Sequence, residues 1–151
     1  MTVHQHVLAI GVFDLFHIGH LRYLQFARTK GLKLTVGVTP DECVWITKQK
    51  LPVISQDHRM EIIRGLGWVD TVKLMPTSTE NTLASAIWIP EWGVDHVVVG
   101  GAWVQNPRWI RLIPLLAKNQ ISVSFAPHTE GISSSKIQDL IQYASNIRQS
   151  C

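Results

Sequence analysis

HVLAIGVFDLFHIGHLRYLQFAR, residues 6–28, changes its hydrophobic rhythm twice. His6 to Gly11 is a short apolar run closed by a glycine, the signature of a strand buried on both faces. Val12 to His17 has no period and reads as a loop. From about Ile18 to Arg28 the apolar residues return at helical spacing, so the segment predicts strand, loop and helix.

Working outward, further β-rich runs stand at Lys33–Val38, Thr71–Leu74, His96–Val99 and Ile121–Phe125. Helical patterns lie between them. Ser55 is placed to cap QDHRMEIIRGL, with Asp57 in the first turn. Thr79–Glu91 and Pro107–Lys118 read as helices in spite of Pro90 and Pro114. A last helix is expected from near Ser133, with Ile137, Leu140, Ile141 and Ala144 forming its apolar stripe. Pro40 to Pro52 is the one long irregular stretch, and long loops in compact domains are often functional. Strands alternating with helices predict an α/β fold: a single doubly wound, Rossmann-like domain over residues 1–151, with a five-stranded parallel sheet and helices on both faces. Ligands of such sheets bind beyond the carboxyl ends of the strands, where strand order reverses.

With 151 residues, 46% of them hydrophobic, the chain can bury a core without disulfides or a structural metal. The formal charge of +3, carried by scattered basic residues, suits a small polyanion and argues against nucleic acid as a partner. Cys43 and Cys151 lie far apart, with no zinc-like spacing, which fits a reducing compartment. No apolar run is long enough to span a bilayer and the first residues lack a signal-peptide pattern, so the expected location is the cytoplasm. His4 and His6 could pair on a metal, but a third ligand is missing from the pattern and the structural reading is favoured. The six tryptophans are core or interface candidates, with Trp103, just after the fourth strand, a candidate pocket wall.

The chemistry gathers in two places. Gly11 and Gly19 let backbone approach a ligand, and the free N–H groups at the start of the first helix favour negative charge. His17 and His20, three residues apart there, can turn to one side and donate hydrogen bonds to phosphate oxygens. Asp14 suits either an Asx-type contact that orders the loop or a role in holding a metal. Near the far end, Ser133, Ser134 and Ser135 offer O–H and N–H donors on a first helical turn, and Lys136 adds a charge, which makes an anion site.

Gly11-Val12-Phe13-Asp14-Leu15-Phe16-His17-Ile18-Gly19-His20 resembles the GxFDxxHxGH signature of the cytidylyltransferase-like nucleotidyltransferases. His128-Thr129-Glu130-Gly131-Ile132-Ser133-Ser134-Ser135-Lys136-Ile137 is similar to the RTEGISTTKI signature of the same family. Lys48-Gln49-Lys50, followed by Gln56-Asp57-His58-Arg59, resembles the KQK...EHR stretch of its glycerol-3-phosphate cytidylyltransferases, and ethanolamine-phosphate cytidylyltransferases belong to the same neighbourhood. The likeness runs from about Val7 to Ile141. Gly100-Gly101-Ala102-Trp103 departs from the usual GDDW, and His128 stands where arginine is usual before TEGIS.

The resemblance implies a nucleotidyltransferase that moves CMP from CTP to a phosphorylated small molecule and releases pyrophosphate. It implies catalytic roles for His17, His20, Lys48, Lys50, Arg59 and Lys136, with Arg59 making a forked phosphate contact. Gly11, Val12, Phe13, Asp14, Gly19, Gly100, His128, Thr129, Gly131, Ile132 and Ser133 to Ser135 would line the nucleotide site. Magnesium would arrive with the triphosphate, near Asp14, and a homodimer is implied. The alternatives are an adenylyltransferase using ATP and, from the lost acidic pair at Gly101 and Ala102, a catalytically weak nucleotide-binding module. A phosphate monoester is already largely dianionic near neutral pH, so the attack needs no strong protein base.

Overall fold

The structure, a computed structural model, describes residues 3–150. Its elements are β1 (His4–Gly11), α1 (Ile18–Arg28), β2 (Gly31–Val38), α2 (Asp41–Lys48), α3 (Gln56–Arg64), β3 (Thr71–Leu74), α4 (Thr82–Glu91), β4 (His96–Val99), a 3₁₀ turn (Gly101–Trp103), α5 (Pro107–Ala117), β5 (Ser122–Phe125) and α6 (Ser134–Gln149). The five strands form one parallel sheet in the order β3-β2-β1-β4-β5. The doubly wound α/β architecture read from the periodicity is the one observed, with the reversal of strand order at the β1–β4 pair.

Each face of the sheet carries its own core, because alternate residues of a parallel strand point to opposite sides. Val7, Ala9, Leu34, Val36 and Val38 pack with Tyr23 and Leu24 of α1 and Met60 and Ile63 of α3. Leu8, Ile10, Val97 and Val99 pack on the other side with Trp88 and Ile89 of α4 and Trp109, Leu112 and Leu116 of α5. The buried Tyr23 hydroxyl bolts the reversal point: it accepts the Ile10 N–H at 3.0 Å and donates to the Val98 carbonyl at 2.6 Å. Burial raises the pKa of this phenol, so the hydroxyl keeps the proton it donates.

One expectation is corrected and another gains a context. Pro40–Pro52 is not irregular throughout, since Asp41–Lys48 form α2, with Asp41 and Glu42 in its first turn and Lys48 in its last. That charge order complements the helix dipole, and Gln49, at φ 59°, closes the helix in the left-handed conformation usually taken by glycine. The apolar stripe of α6 does not face the core: Leu140 and Ile141 are 63% and 62% exposed, and the helix has no buried residue. Ser55 does cap α3, accepting the His58 N–H. Of the tryptophans, Trp88 and Trp109 are core while Trp45 is half exposed. Cys43 is a free, half-buried thiol, and the expectation for Cys151 lies outside the described residues. No described helix is long and apolar enough to cross a membrane.

Candidate active site

A cavity of about 690 Å³ opens at the carboxyl ends of all five strands, lined by Ile10, Thr39, Met75, Val99 and Ala126 at or just beyond those ends. One wall is the loop from Gly11 to His20. In it Phe13 and Leu15 take left-handed backbone conformations, at φ 59° and 50°, which cost L residues energy and need external support. Asp14, between them, supplies it. One carboxylate oxygen accepts the N–H groups of Leu15 (3.1 Å) and Ile54 (2.9 Å), and the other accepts that of Val53 (2.8 Å). The loop-ordering role of Asp14 is therefore direct, and it ties the β1 loop to the segment before α3.

His17 is the N-cap of α1. Its Nδ1 accepts the Gly19 N–H at 3.0 Å, while Nδ1 of His20 accepts the His17 N–H at 3.3 Å, a capping box made of two imidazoles. An Nδ1 that accepts has no proton. The backbone thus assigns both rings the tautomer with hydrogen on Nε2, provided that they are neutral. They are held neutral. Burial lowers the pKa of His17, and burial together with the neighbouring His17 lowers that of His20 to about 4. Phe13 and Phe16 flank His20 with ring centroids 5.4 Å away, and the two imidazoles stack with centroids 3.7 Å apart. Gly19 is required by this packing, since a Cβ there would lie 2.9 Å from Cε1 of His17. The result is a pair of neutral Nε2–H donors side by side in the cavity wall.

The start of α6 forms the adjoining surface. Ser133 is its N-cap, accepting the Lys136 N–H at 3.0 Å, and Ser134 donates its hydroxyl proton to the Asp14 carbonyl at 2.5 Å. That bond joins the two distant motifs. It also alters the expected donor set, because the Ser134 hydroxyl is committed to the protein. Backbone N–H groups of the first turn and the hydroxyl of Ser135 are the donors that this turn offers to the cavity.

Lys48 and Lys50 also line the cavity, as do Gly100, Trp103, His128, Thr129 and Ile132. Gly131 and Lys136 do not line it, and Lys136 is exposed. Arg59 is a correction. Its guanidinium is fully buried and donates to the carbonyls of Ile54 (2.9 Å), Val12 (2.6 Å) and Thr39 (2.9 Å) and to the Asp41 carboxylate (2.6 Å). No fork remains for a phosphate. Asp41 in turn exchanges hydrogen bonds with Gln56, so Arg59 and Asp41 fasten α2, which ends at Lys48, to α3.

The two sequence departures prove to be neighbours. A Cβ on Gly101 would collide with the Ala126 carbonyl and lie 2.8 Å from the His128 N atom, so the 3₁₀ turn presses against the chain just before TEGIS. In this arrangement only glycine fits at position 101. The residues that sequence reasoning missed are Ser78, Thr79 and Glu80 after β3 and Arg108 on α5, all cavity-lining.

A family model described as cytidylyltransferase-like matches residues 8–140. A glycerol-3-phosphate cytidylyltransferase of Bacillus subtilis is 32% identical over 135 residues, covering 89% of this chain and 95% of the relative. An FAD synthase of Thermococcus onnurineus is 46% identical over 66 residues, which span 44% of this chain and 44% of that enzyme. Among solved structures, a lipopolysaccharide core biosynthesis protein from Thermoplasma volcanium superposes with a TM-score of 0.68 at 25% identity, covering 84% of this chain and 99% of the other.

Proposed function

Because the chain belongs to the cytidylyltransferase-like family and is a nucleotidyltransferase, we propose that it transfers CMP from CTP to a phosphorylated small molecule, releasing pyrophosphate. The observation that carries this reading is the locked pair of neutral Nε2–H donors on His17 and His20. Preorganised donors stabilise charge that develops on a phosphoryl oxygen during displacement without having to reorganise at that moment.

In this reaction an oxygen of the acceptor's phosphate attacks the α-phosphorus in line. The bond from that phosphorus to the oxygen bridging towards the β-phosphate breaks, and its electron pair leaves with pyrophosphate. His17 and His20 hydrogen-bond the α-phosphoryl oxygens. The first turn of α6 receives the β- and γ-phosphates on its N–H groups, and Lys48 and Lys50 supply the mobile positive charge.

The donor set suits magnesium delivered by the triphosphate better than a metal held by a protein cage. Among the described residues no group of three His, Cys, Asp or Glu side chains is placed to hold an ion. When bound, magnesium would neutralise charge on the phosphates, and Asp14 is the carboxylate beside the histidines that would meet it.

Adenylyl transfer from ATP is the second reading, favoured by the match to an FAD synthase. A matrix of CTP and ATP against glycerol 3-phosphate, ethanolamine phosphate and sugar phosphates, read as pyrophosphate release, tests both. Turnover with CTP and a phosphate monoester is expected. Turnover with ATP alone would replace the first reading by the second, and no release in any cell of the matrix would overturn both.

A further inference from the structure

Arg108 is poorly placed for stability. It is the second residue of α5, after the Asn106 cap and Pro107, where the partial positive charge of the helix start disfavours a cation. Its guanidinium is half-buried and lies over the Trp103 ring, 4.6 Å from the centroid, in a cation–π contact. Of its five N–H donors, one bonds the Thr79 hydroxyl at 3.2 Å. Glu80, 56% exposed, approaches only to 3.6 Å, beyond a good hydrogen bond. Arg111 on the next turn adds a second positive charge, and burial and Arg111 together pull the Arg108 pKa down against Glu80. Among the described residues no buried polar side-chain atom lacks a partner, so the Arg108 nitrogens without a protein acceptor are solvent-accessible, on a side chain that lines the cavity.

The location selects what those donors can meet. α1, with the histidines, packs on one face of the sheet, whereas α4 and α5 pack on the other. Arg108 therefore stands on the wall opposite His17 and His20. Its contacts come from Thr79 and Glu80, which follow β3, and from Trp103, which follows β4, so it stands between those two segments on the α4–α5 side of the cavity. A group bound there lies across the cavity from the histidine donors, so in the proposed reaction it falls to the acceptor and not to the α-phosphate that the histidines hold.

We propose that Arg108, positioned by its contact with Trp103 and its hydrogen bond to Thr79, is a specificity-determining residue that binds a second oxyanion of the acceptor, a carboxylate or a second phosphate. This rests on the transfer reaction proposed above. Arginine is suited to the task because its planar fork matches either oxyanion in bidentate fashion. Glu80, more than half exposed, offsets only part of the positive charge that Arg108, Arg111 and the α5 dipole bring to this side.

The test is calorimetric binding to the CTP-loaded enzyme of acceptors matched in length: glycerol 3-phosphate against 3-phosphoglycerate, and sorbitol 6-phosphate against 6-phosphogluconate and sorbitol 1,6-bisphosphate. The wild type should bind at least one doubly anionic member about tenfold or more tightly than its neutral-ended counterpart, and which member wins distinguishes carboxylate from phosphate. Arg108→Gln should erase that preference, Arg108→Lys should retain part of it, and CTP affinity should stay unchanged in both. Circular dichroism checks that the variants fold. Equal binding of all matched acceptors by the wild type would overturn the proposal, as would a loss in Arg108→Gln that falls on CTP instead. If discrimination is present but pyrophosphate is never released, the transfer reading fails while the oxyanion site stands. If transfer proceeds without discrimination, only the oxyanion site falls.

Discussion

An arginine close to a helix start stands behind one wall of the cavity and another lies in the opposite wall, and the two are used in opposite ways. Arg59, on α3, is sealed from solvent and gives four hydrogen bonds to three carbonyls and a carboxylate. Arg108, on α5, gives one hydrogen bond to the protein and lies along the cavity. A buried cation with its donors satisfied is a fastener, because any movement strands unpaired polar groups in a low dielectric. A cation with open donors on a cavity wall is available to a ligand. The α1–α3 side thus has a framework of internally satisfied polar groups that leaves the Nε2–H of His17 and His20 to the cavity, whereas on the α4–α5 side Arg108 itself is little engaged by the protein.

The largest effect should come from breaking the fastener. Arg59→Ala leaves the Asp41 carboxylate and three carbonyls without their partner, and the expected loss of stability is about 3–5 kcal/mol, measured by chemical denaturation. A variant that stays within about 1 kcal/mol of wild type would show that the network re-forms around water, and the contrast between the walls would collapse.

Next in size is the loss of catalysis at the donor pair. His17→Ala and His20→Ala should each lower kcat by about 10²-fold or more, with a smaller change in KM, as expected for donors acting on the transition state. His20→Ala should also cost some stability, because it removes the acceptor of the His17 N–H. Near wild-type turnover in either variant would reassign that histidine to capping alone and leave the wall structural throughout.

What could be read from the sequence follows how far apart the interacting residues are. The capping box closes within four residues, from His17 to His20, so spacing and residue type sufficed to single it out. The sheet was equally readable, since the switch from apolar run to helical period is local. Arg59 was misread because its partners at positions 12, 39, 41 and 54 are assembled only by the fold. The stripe of α6 was legible while its exposure was not, because periodicity shows that a face is apolar and not what covers it. Two misses did have local signals. Acidic residues at the start of DECVWITK and lysine at its end announce α2. Asn106-Pro107 announces the start of α5, which puts Arg108 in a turn where a cation is disfavoured.

The subtlest test of the rigid wall is its silence in the pH profile. His20, with its pKa lowered to about 4, remains neutral as pH falls through 6, and burial moves the titration of His17 downward from the usual imidazole range. A phosphate monoester does not: its second ionisation lies near pH 6, so the dianionic nucleophile declines by about tenfold per unit below that. The acid limb of kcat/KM should therefore report the acceptor, and replacing it by a phosphonate with a higher second pKa should move the limb upward by about the difference. The fold sets a lower limit to the measurement. His20 and His96, both near 4 in the folded protein, titrate near 6.5 when unfolded, so the unfolded chain binds more protons between those values. Their contribution to stability is complete above about pH 6.5 and is lost as pH falls towards 4. Thermal melts across the same range separate this loss from the catalytic limb, because unfolding is independent of which acceptor is present at subsaturating concentration. A limb that ignores the acceptor's pKa while the protein stays folded would place the titrating group on the enzyme, with His17 the first to examine, and the neutral donor pair would have to be redrawn.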